Sequence, residues 1–422
     1  MGESSIASFA ATMLIGAKWA TQLWLERLNL KNVLNHAATV PEAFKDVVDG
    51  ATYAKSIQYT LAKGRLNQIE ETYDAVVLLV VLFSGCLPWA LEYFHGALGA
   101  SIWSMAGFVF STGLVLVLAG LPIAWYAQFR LEQRFGFNTT TPKLWWLDRV
   151  KGLLLALALG YPLIALILKT VEWAGPNWWL WAWASVLGFQ LLMTVLAPAL
   201  ILPWFNKFSP LAPGSLQDRL HGLAERTGFR VASIQVMDGS KRSRHSNAFF
   251  TGFGRFRKIV LFDTLVEQLS EPEVESVLAH EIGHYKKKHL SKMLALSSGG
   301  LLLGFYAIAW LARQTWFYGA FGFQAQGLAP ALVLFGLLSG VLTFWFSPLA
   351  NLWTRHYEFQ ADAYAASAIG TPQTLIGALR KLTGQNLSNL TPHPFYSGFY
   401  YSHPTLPERE AALRKRNGLE AV

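Results

Sequence analysis

Long apolar runs separated by polar stretches set the pattern of this chain. The runs at about 75–94, 103–127, 152–171, 178–204, 293–312 and 328–352 are each long enough, as helices, to cross a hydrocarbon layer of roughly 30 Å. A weaker run at 6–25 is interrupted by Lys18 and ends at Trp24, before Glu26 and Arg27. It lacks the charged start and small-residue cleavage site of a removed signal peptide, so it is read as a retained span. About seven transmembrane helices result, with residues 26–74 polar and helical outside the bilayer. Pro198 and Pro203 either kink the fifth span or mark its end. The run Trp178-Trp179-Leu180-Trp181-Ala182-Trp183 reads as an interfacial aromatic belt.

Charge orients these spans. One set of loops carries Arg27, Lys31, Lys45, Lys55, Lys63 and Arg65, then Arg130, Arg134, Lys143 and Arg149, then the basic region Lys207 to Lys292, and the C-terminal tail. The opposite set, around 95–102, 172–177 and 313–327, contributes only Arg313. Because Lys and Arg accumulate in cytoplasmic loops, an odd number of spans with the N-terminus outside satisfies every loop. Residues 206–290 then lie on the cytoplasmic side, and they alone have the pattern of a soluble fold. Leu216 to Thr227 has helical spacing, Ser233 to Met237 and Lys258 to Phe262 read as strands, and Asn247 to Phe250 lies between them.

Composition agrees with a membrane protein. Hydrophobic residues make up 53% and charged residues 14%, against about a quarter charged in a soluble domain. The single cysteine, Cys86, excludes an intrachain disulfide and a cysteine metal cluster. The net charge of +9 flanks apolar runs and accompanies no nucleic-acid motif, so the lipid bilayer is the expected partner and nucleic acid is not.

Candidate chemistry centres on Val277-Leu278-Ala279-His280-Glu281-Ile282-Gly283-His284. Ser270 with Glu273 reads as a capping box, Pro272 fits a first turn, and Val274, Val277, Leu278 and Ile282 form an apolar stripe, so this stretch is predicted to be helical. Two histidines four apart then share one face and can hold one metal ion, with Glu281 beside them as a general base. Catalytic zinc takes three protein ligands and leaves a position open. In Arg355-His356-Tyr357-Glu358-Phe359-Gln360-Ala361-Asp362, just after the last span, Glu358 is the chosen third ligand. Asp362 falls one turn later, where it can accept the second ring N–H of a metal-bound histidine; His356 faces elsewhere and reads as structural. Zinc is inferred from ligand type, and cobalt or manganese could occupy the same site in vitro.

These motifs carry a family resemblance. His280-Glu281-x-x-His284, Glu358-x-x-x-Asp362, Ser246-Asn247-Ala248-Phe249 ahead of Lys258 to Leu265, Ser402-His403-Pro404 with Glu408-Arg409, and Glu132-Gln133-Arg134-Phe135-Gly136-Phe137-Asn138 with Thr140 and Trp145 together resemble the type I CAAX prenyl protease family of integral-membrane zinc endopeptidases. The resemblance spans nearly the whole chain. It implies a mainly α, polytopic fold: a barrel of seven transmembrane helices around a large water-filled chamber, the zinc site facing inward and closed by a small α+β domain on the cytoplasmic side. By the same resemblance Asn247 and His403 grip the substrate near the scissile bond, His403 also aids the oxyanion, and Arg409 sits near the substrate's C-terminal side.

The expected organisation is therefore a membrane region at 1–205 with five spans, a metallopeptidase segment at 206–292, two spans at 293–352 and a C-terminal segment at 353–422. The expected cofactor is one Zn2+ per chain, and the expected substrate is a peptide or protein, prenylated CAAX-type chains included. The tail 417–422 has no endoplasmic-reticulum retention motif, which leads to the expectation of a bacterial member in the inner membrane. Three rival readings are a quality-control protease like the heat-shock metallopeptidases, a transporter, and a catalytically inactive scaffold. The first is shorter, with fewer spans; the second would place more ionisable residues within the spans than Lys18; the third has no need of Glu281.

Overall fold

The computed structural model describes residues 2–251, 258–324 and 326–416; the tail 417–422 lies outside them. A 33-residue helix, Glu3–Asn35, packs along the 34-residue helix Gly50–Phe83. Asp49 caps the second: its carboxylate accepts the Thr52 N–H at 2.6 Å, satisfying a donor that the first helical turn leaves free. After Ser84 the chain bends by 54° into Cys86–Leu98, with Gly85 at φ +82°. The apolar run at 75–94 is thus a broken helix. A β-carbon at Gly85 would strain this left-handed corner.

Helix Ile102–Tyr126 follows, its start capped by the Ser101 hydroxyl, and it runs on into a π turn, Ala127–Glu132. Helices Tyr161–Ala174 and Trp178–Leu196 fold back on one another around Gly175. Pro198 lies in a second type of break: the helix widens to a π segment at Ala197–Ile201 and resumes at Leu202–Phe205, so the prolines loosen the end of this span without stopping it at once.

Among the described residues, four helical stretches are long and apolar enough to cross a membrane, or five with the bent pair counted as one span. One of the four, Pro142–Phe205, is 64 residues long and contains the hairpin at Gly175, so it supplies two crossings. The first helix has the length for a seventh crossing but falls short in hydropathy, in keeping with its weak pattern of apolar positions. The result is a mainly α, polytopic membrane protein. Its inner contacts include Leu82, Ala106, Phe108, Ala182, Ala331 and Leu334, while many valines, leucines and tryptophans on these helices point outward. An apolar surface of that extent is stable against lipid, not water.

The polar unit is built on a four-stranded sheet of β1 (Phe208–Pro210), β2 (Ser233–Met237), β3 (Ala248–Thr251) and β4 (Lys258–Phe262), in the order β1-β2-β4-β3. The central pair is parallel, with Ile234 opposite Ile259 and Val236 opposite Leu261. Parallel strands need a crossover and cover on both faces, which explains why Ile259, Val260 and Leu261 are consecutively buried. β3 is antiparallel to β4 and lies at the edge. Helix Glu271–Lys286 closes the core with Val274, Leu278 and Ile282. Between the first two helices and the C-terminal segment lies a cavity of about 950 Å³, lined by Glu26, Lys63, His245, Asn386, Tyr401 and His403 among others.

Candidate active site

Helix Glu271–Lys286 starts where its sequence pattern predicts. Glu273 accepts from both the backbone N–H and the hydroxyl of Ser270, at 2.8 and 2.7 Å. One face is committed to the sheet, so the face bearing His280 and His284 turns toward helix Ser347–Ile369. Gly283 lets the two helices close. A β-carbon there would stand 3.0 Å from both the Cα and the carbonyl oxygen of Ala361.

That approach brings the donor groups of three side chains together. Nε2 of His280 lies 3.1 Å from Nε2 of His284, and the Glu358 carboxylate faces both, Oε2 at 3.4 Å from the first and Oε1 at 3.2 Å from the second. A tetrahedral ion with ligands at about 2.0–2.2 Å spaces them about 3.3 Å apart. Glu358 Oε2 is buried without a hydrogen bond, which costs free energy unless a cation faces it. The residues fit a metal ion with nitrogen and oxygen ligands.

The outer atoms of His280 are also determined. Its Nδ1 donates to Asp362 at 2.8 Å, and Asp362 accepts from Nε and Nη2 of Arg409 at 2.8 and 2.5 Å. Burial alone would lower the His280 pKa, but Asp362 and Glu358 overcome it and raise the pKa to about 9. The cluster thus draws positive charge, and a proton competes there with a metal ion. Glu281 is affected in the opposite sense to a solvated carboxylate: burial raises its pKa.

His403, on the segment before helix Leu406–Arg416, reaches the same cluster, its Nε2 3.5 Å from Glu358 Oε1, and it also lines the cavity. Six of the eight residues singled out from the sequence, His280, His284, Glu358, Asp362, His403 and Arg409, therefore form one connected set, with Glu281 adjoining on the same helix. Asn247 stands just before edge strand β3, exposed, its Oδ1 accepting the Ala248 N–H. Among the described residues no hydrogen bond ties it to the set.

Two features escaped the sequence. Arg409 is buried and held by Asp362, an engagement that no local spacing signals across the chain. His289, five residues beyond His284, meets the outer nitrogen, Nδ1, of that ring. The one local signal was a third histidine soon after the motif.

A polytopic helical protein with a His-Glu-x-x-His helix and a glutamate from a second helix at ligand distance is a membrane-embedded metalloendopeptidase. Comparison with known proteins makes the assignment specific. Residues 29–207 match the CAAX prenyl protease N-terminal model, with five membrane helices, and residues 210–417 match Peptidase family M48. CAAX prenyl protease 1 of Saccharomyces cerevisiae is 37% identical over 406 residues, covering 89% of this chain and 88% of that protein. A homologue from rice, Oryza sativa subsp. japonica, is 34% identical, covering 89% and 90%. The crystal structure of S. mikatae Ste24p superposes with a TM-score of 0.90 at 33% identity, over 96% of this chain and 98% of that one. The chain belongs to the CAAX prenyl protease family of M48 metallopeptidases.

Proposed function

We propose that this chain is a zinc endopeptidase that hydrolyses peptide bonds in CAAX-type, prenylated C-terminal segments or related peptides. The observation that carries this reading is the triangle of donor atoms on His280, His284 and Glu358, beside Glu281 and reached from the polar cavity at His403. The names of the relatives support the substrate class. Zinc held by His280, His284 and Glu358 would supply Lewis acidity, polarising a carbonyl and acidifying water.

Glu281 takes the proton of the attacking water and returns it to the leaving amine. A carboxylate whose pKa is raised by burial is nearer in basicity to what that transfer needs. His403 donates an N–H to the oxyanion as it develops. An extended peptide adds to edge strand β3, with Asn247 at the end of the strand gripping its backbone. Asp362 fixes the tautomer of His280 so that Nε2 stays free for the metal, and Arg409 holds Asp362 in place. On this reading Arg409 supports the site, a role its burial favours over direct contact with the substrate's C-terminal side.

The Lys and Arg asymmetry supports a site facing the cytoplasm. Residence in a bacterial inner membrane rests on the sequence expectation alone, and the relatives named above come from a yeast and a plant.

The test is cleavage of two peptides, one ending in a farnesylated CAAX segment and one unmodified, by the purified protein and its Glu281→Gln variant. The variant should keep its metal and lose turnover by about 10²- to 10⁴-fold. Normal turnover by Glu281→Gln would refute the assigned base. Cleavage of the unmodified peptide at the same rate would remove lipid specificity and favour a quality-control role.

A further inference from the structure

His280 and His284 need the same thing from the protein. To bind a metal through Nε2, each ring must carry its proton on Nδ1, and that N–H must find an acceptor. His280 has Asp362. Among the described residues His284 has no carboxylate on that side; the atom at 3.1 Å from its Nδ1 is Nδ1 of His289.

We propose that His289 is the positioning residue for His284, a neutral acceptor that holds its ring and tautomer for metal binding; the proposal rests on the zinc reading given above. Three observations converge. His289 is buried, 2% exposed, at the start of helix His289–Leu311, and its ring stacks on Tyr357 at 4.1 Å with planes 10° apart. Its plane is therefore not free to swing. Its Nε2 lies 3.0 Å from Gln360 Oε1, so the proton sits on Nε2 and the Nδ1 lone pair faces His284. Gln360 Nε2 in turn lies 2.7 Å from His356 Nε2.

The chain of bonds has one workable direction. His284 Nδ1–H donates to His289 Nδ1, His289 Nε2–H donates to the Gln360 oxygen, and the Gln360 amide donates to His356. With the Gln360 amide reversed, an N–H would meet His289 Nε2. The His289 proton would then move to Nδ1, against the N–H of His284. His284 would have to protonate Nε2, the atom that faces Glu358 and the metal position. The orientation of Gln360 in the structure, its oxygen toward His289 and its amide nitrogen toward His356, avoids this. It also gives His356, an exposed residue otherwise without a role at the site, a place in the arrangement.

The two imidazoles are consequently held differently, one by an anion and one by a neutral ring. A metal-bound histidine loses its orientation when such a partner is removed, typically at a cost of about 10- to 100-fold in metal affinity. The full-length protein in detergent tests this with His289→Leu, which removes the acceptor, and His289→Asn, whose side-chain oxygen can take over from Nδ1. Zinc affinity is measured by competition with a chelator, and the d–d absorption of the cobalt-substituted protein reports ligand geometry.

The expected result is a loss of about 10- to 100-fold in zinc affinity and a changed cobalt spectrum for His289→Leu, with most of the affinity restored in His289→Asn. Gln360→Met keeps the His289 ring and its stacking, replaces none of the three metal ligands, and should weaken zinc several-fold; it carries the test if His289→Leu fails to fold. Wild-type affinity and spectrum in both His289→Leu and Gln360→Met would overturn the proposal and leave the zinc site standing. An Asn variant as weak as the Leu variant would overturn it too, by making packing the cause. No zinc bound by the wild type would instead remove the zinc reading on which the proposal depends.

Discussion

The membrane bundle and the polar unit solve burial in opposite ways. On the bundle, Val117 and Leu303 are 62% and 70% exposed, while Glu26 and Asn29, which line the cavity, are 3% and 2% exposed. In the polar unit Leu220, Leu223 and Leu261 are completely buried, and the exposed guanidinium groups of Arg219 and Arg226 reach in to pair with Glu275. One chain thus carries two inside-out arrangements because it meets two solvents. Apolar side chains against lipid cost nothing, whereas polar groups must be collected where water or partners can reach them. The metal cluster sits where the two meet, on a helix of the polar unit and on one that continues from the last span. That is how a water-consuming reaction can be run beside a bilayer.

This contrast can be broken at several points, the largest first. Arg409→Leu would strip the buried Asp362 of its guanidinium partner, and the expected loss is about 3–5 kcal/mol at the site. Limited proteolysis and zinc retention should report it together, with the membrane helices unaffected. Leu261→Ala, in the sheet, should cost about 2–5 kcal/mol, while Val117→Ala on the lipid face should change stability by less than about 0.5 kcal/mol. Comparable losses in thermal melting for both would show that Val117 is packed against protein and would collapse the comparison.

Gly283→Ala acts at the junction itself. The added methyl meets backbone atoms of Ala361 that cannot rotate away, so a loss of about 1–3 kcal/mol is expected, with weaker metal binding as the two helices part. Unchanged zinc affinity would mean that the helix spacing is not what sets the donor triangle.

The smallest effect concerns His245, which reaches from the polar unit to Glu132 on the membrane helix at 3.6 Å and stacks on Phe137. The Glu132 carboxylate beside it raises its pKa above the ordinary imidazole value, against burial. A raised folded pKa stabilises fully below the unfolded value near 6.5 and is lost as pH rises through the folded one. The advantage of wild type over His245→Gln in melting temperature should therefore shrink as the pH is raised from about 6 to about 9. An advantage that grows with pH would mean that the contact does not carry charge.

Much of this protein is local in origin. Apolar runs specify helices, the i, i+4 spacing of His280 and His284 puts two ring nitrogens on one face, the Ser270–Glu273 box starts that helix, and short β-branched runs specify β2 and β4. Each depends only on near neighbours in the chain, so sequence pattern suffices. What only the tertiary structure decided is the set of distances between parts far apart in sequence. The bend at Gly85 depends on how two helices pack. The 3.1–3.4 Å donor triangle needs the helix of Glu358 to approach Gly283. Arg409 on Asp362 and His289 on His284 are choices of partner among many charged and polar groups, settled by which buried atoms lack a hydrogen bond once the helices are packed.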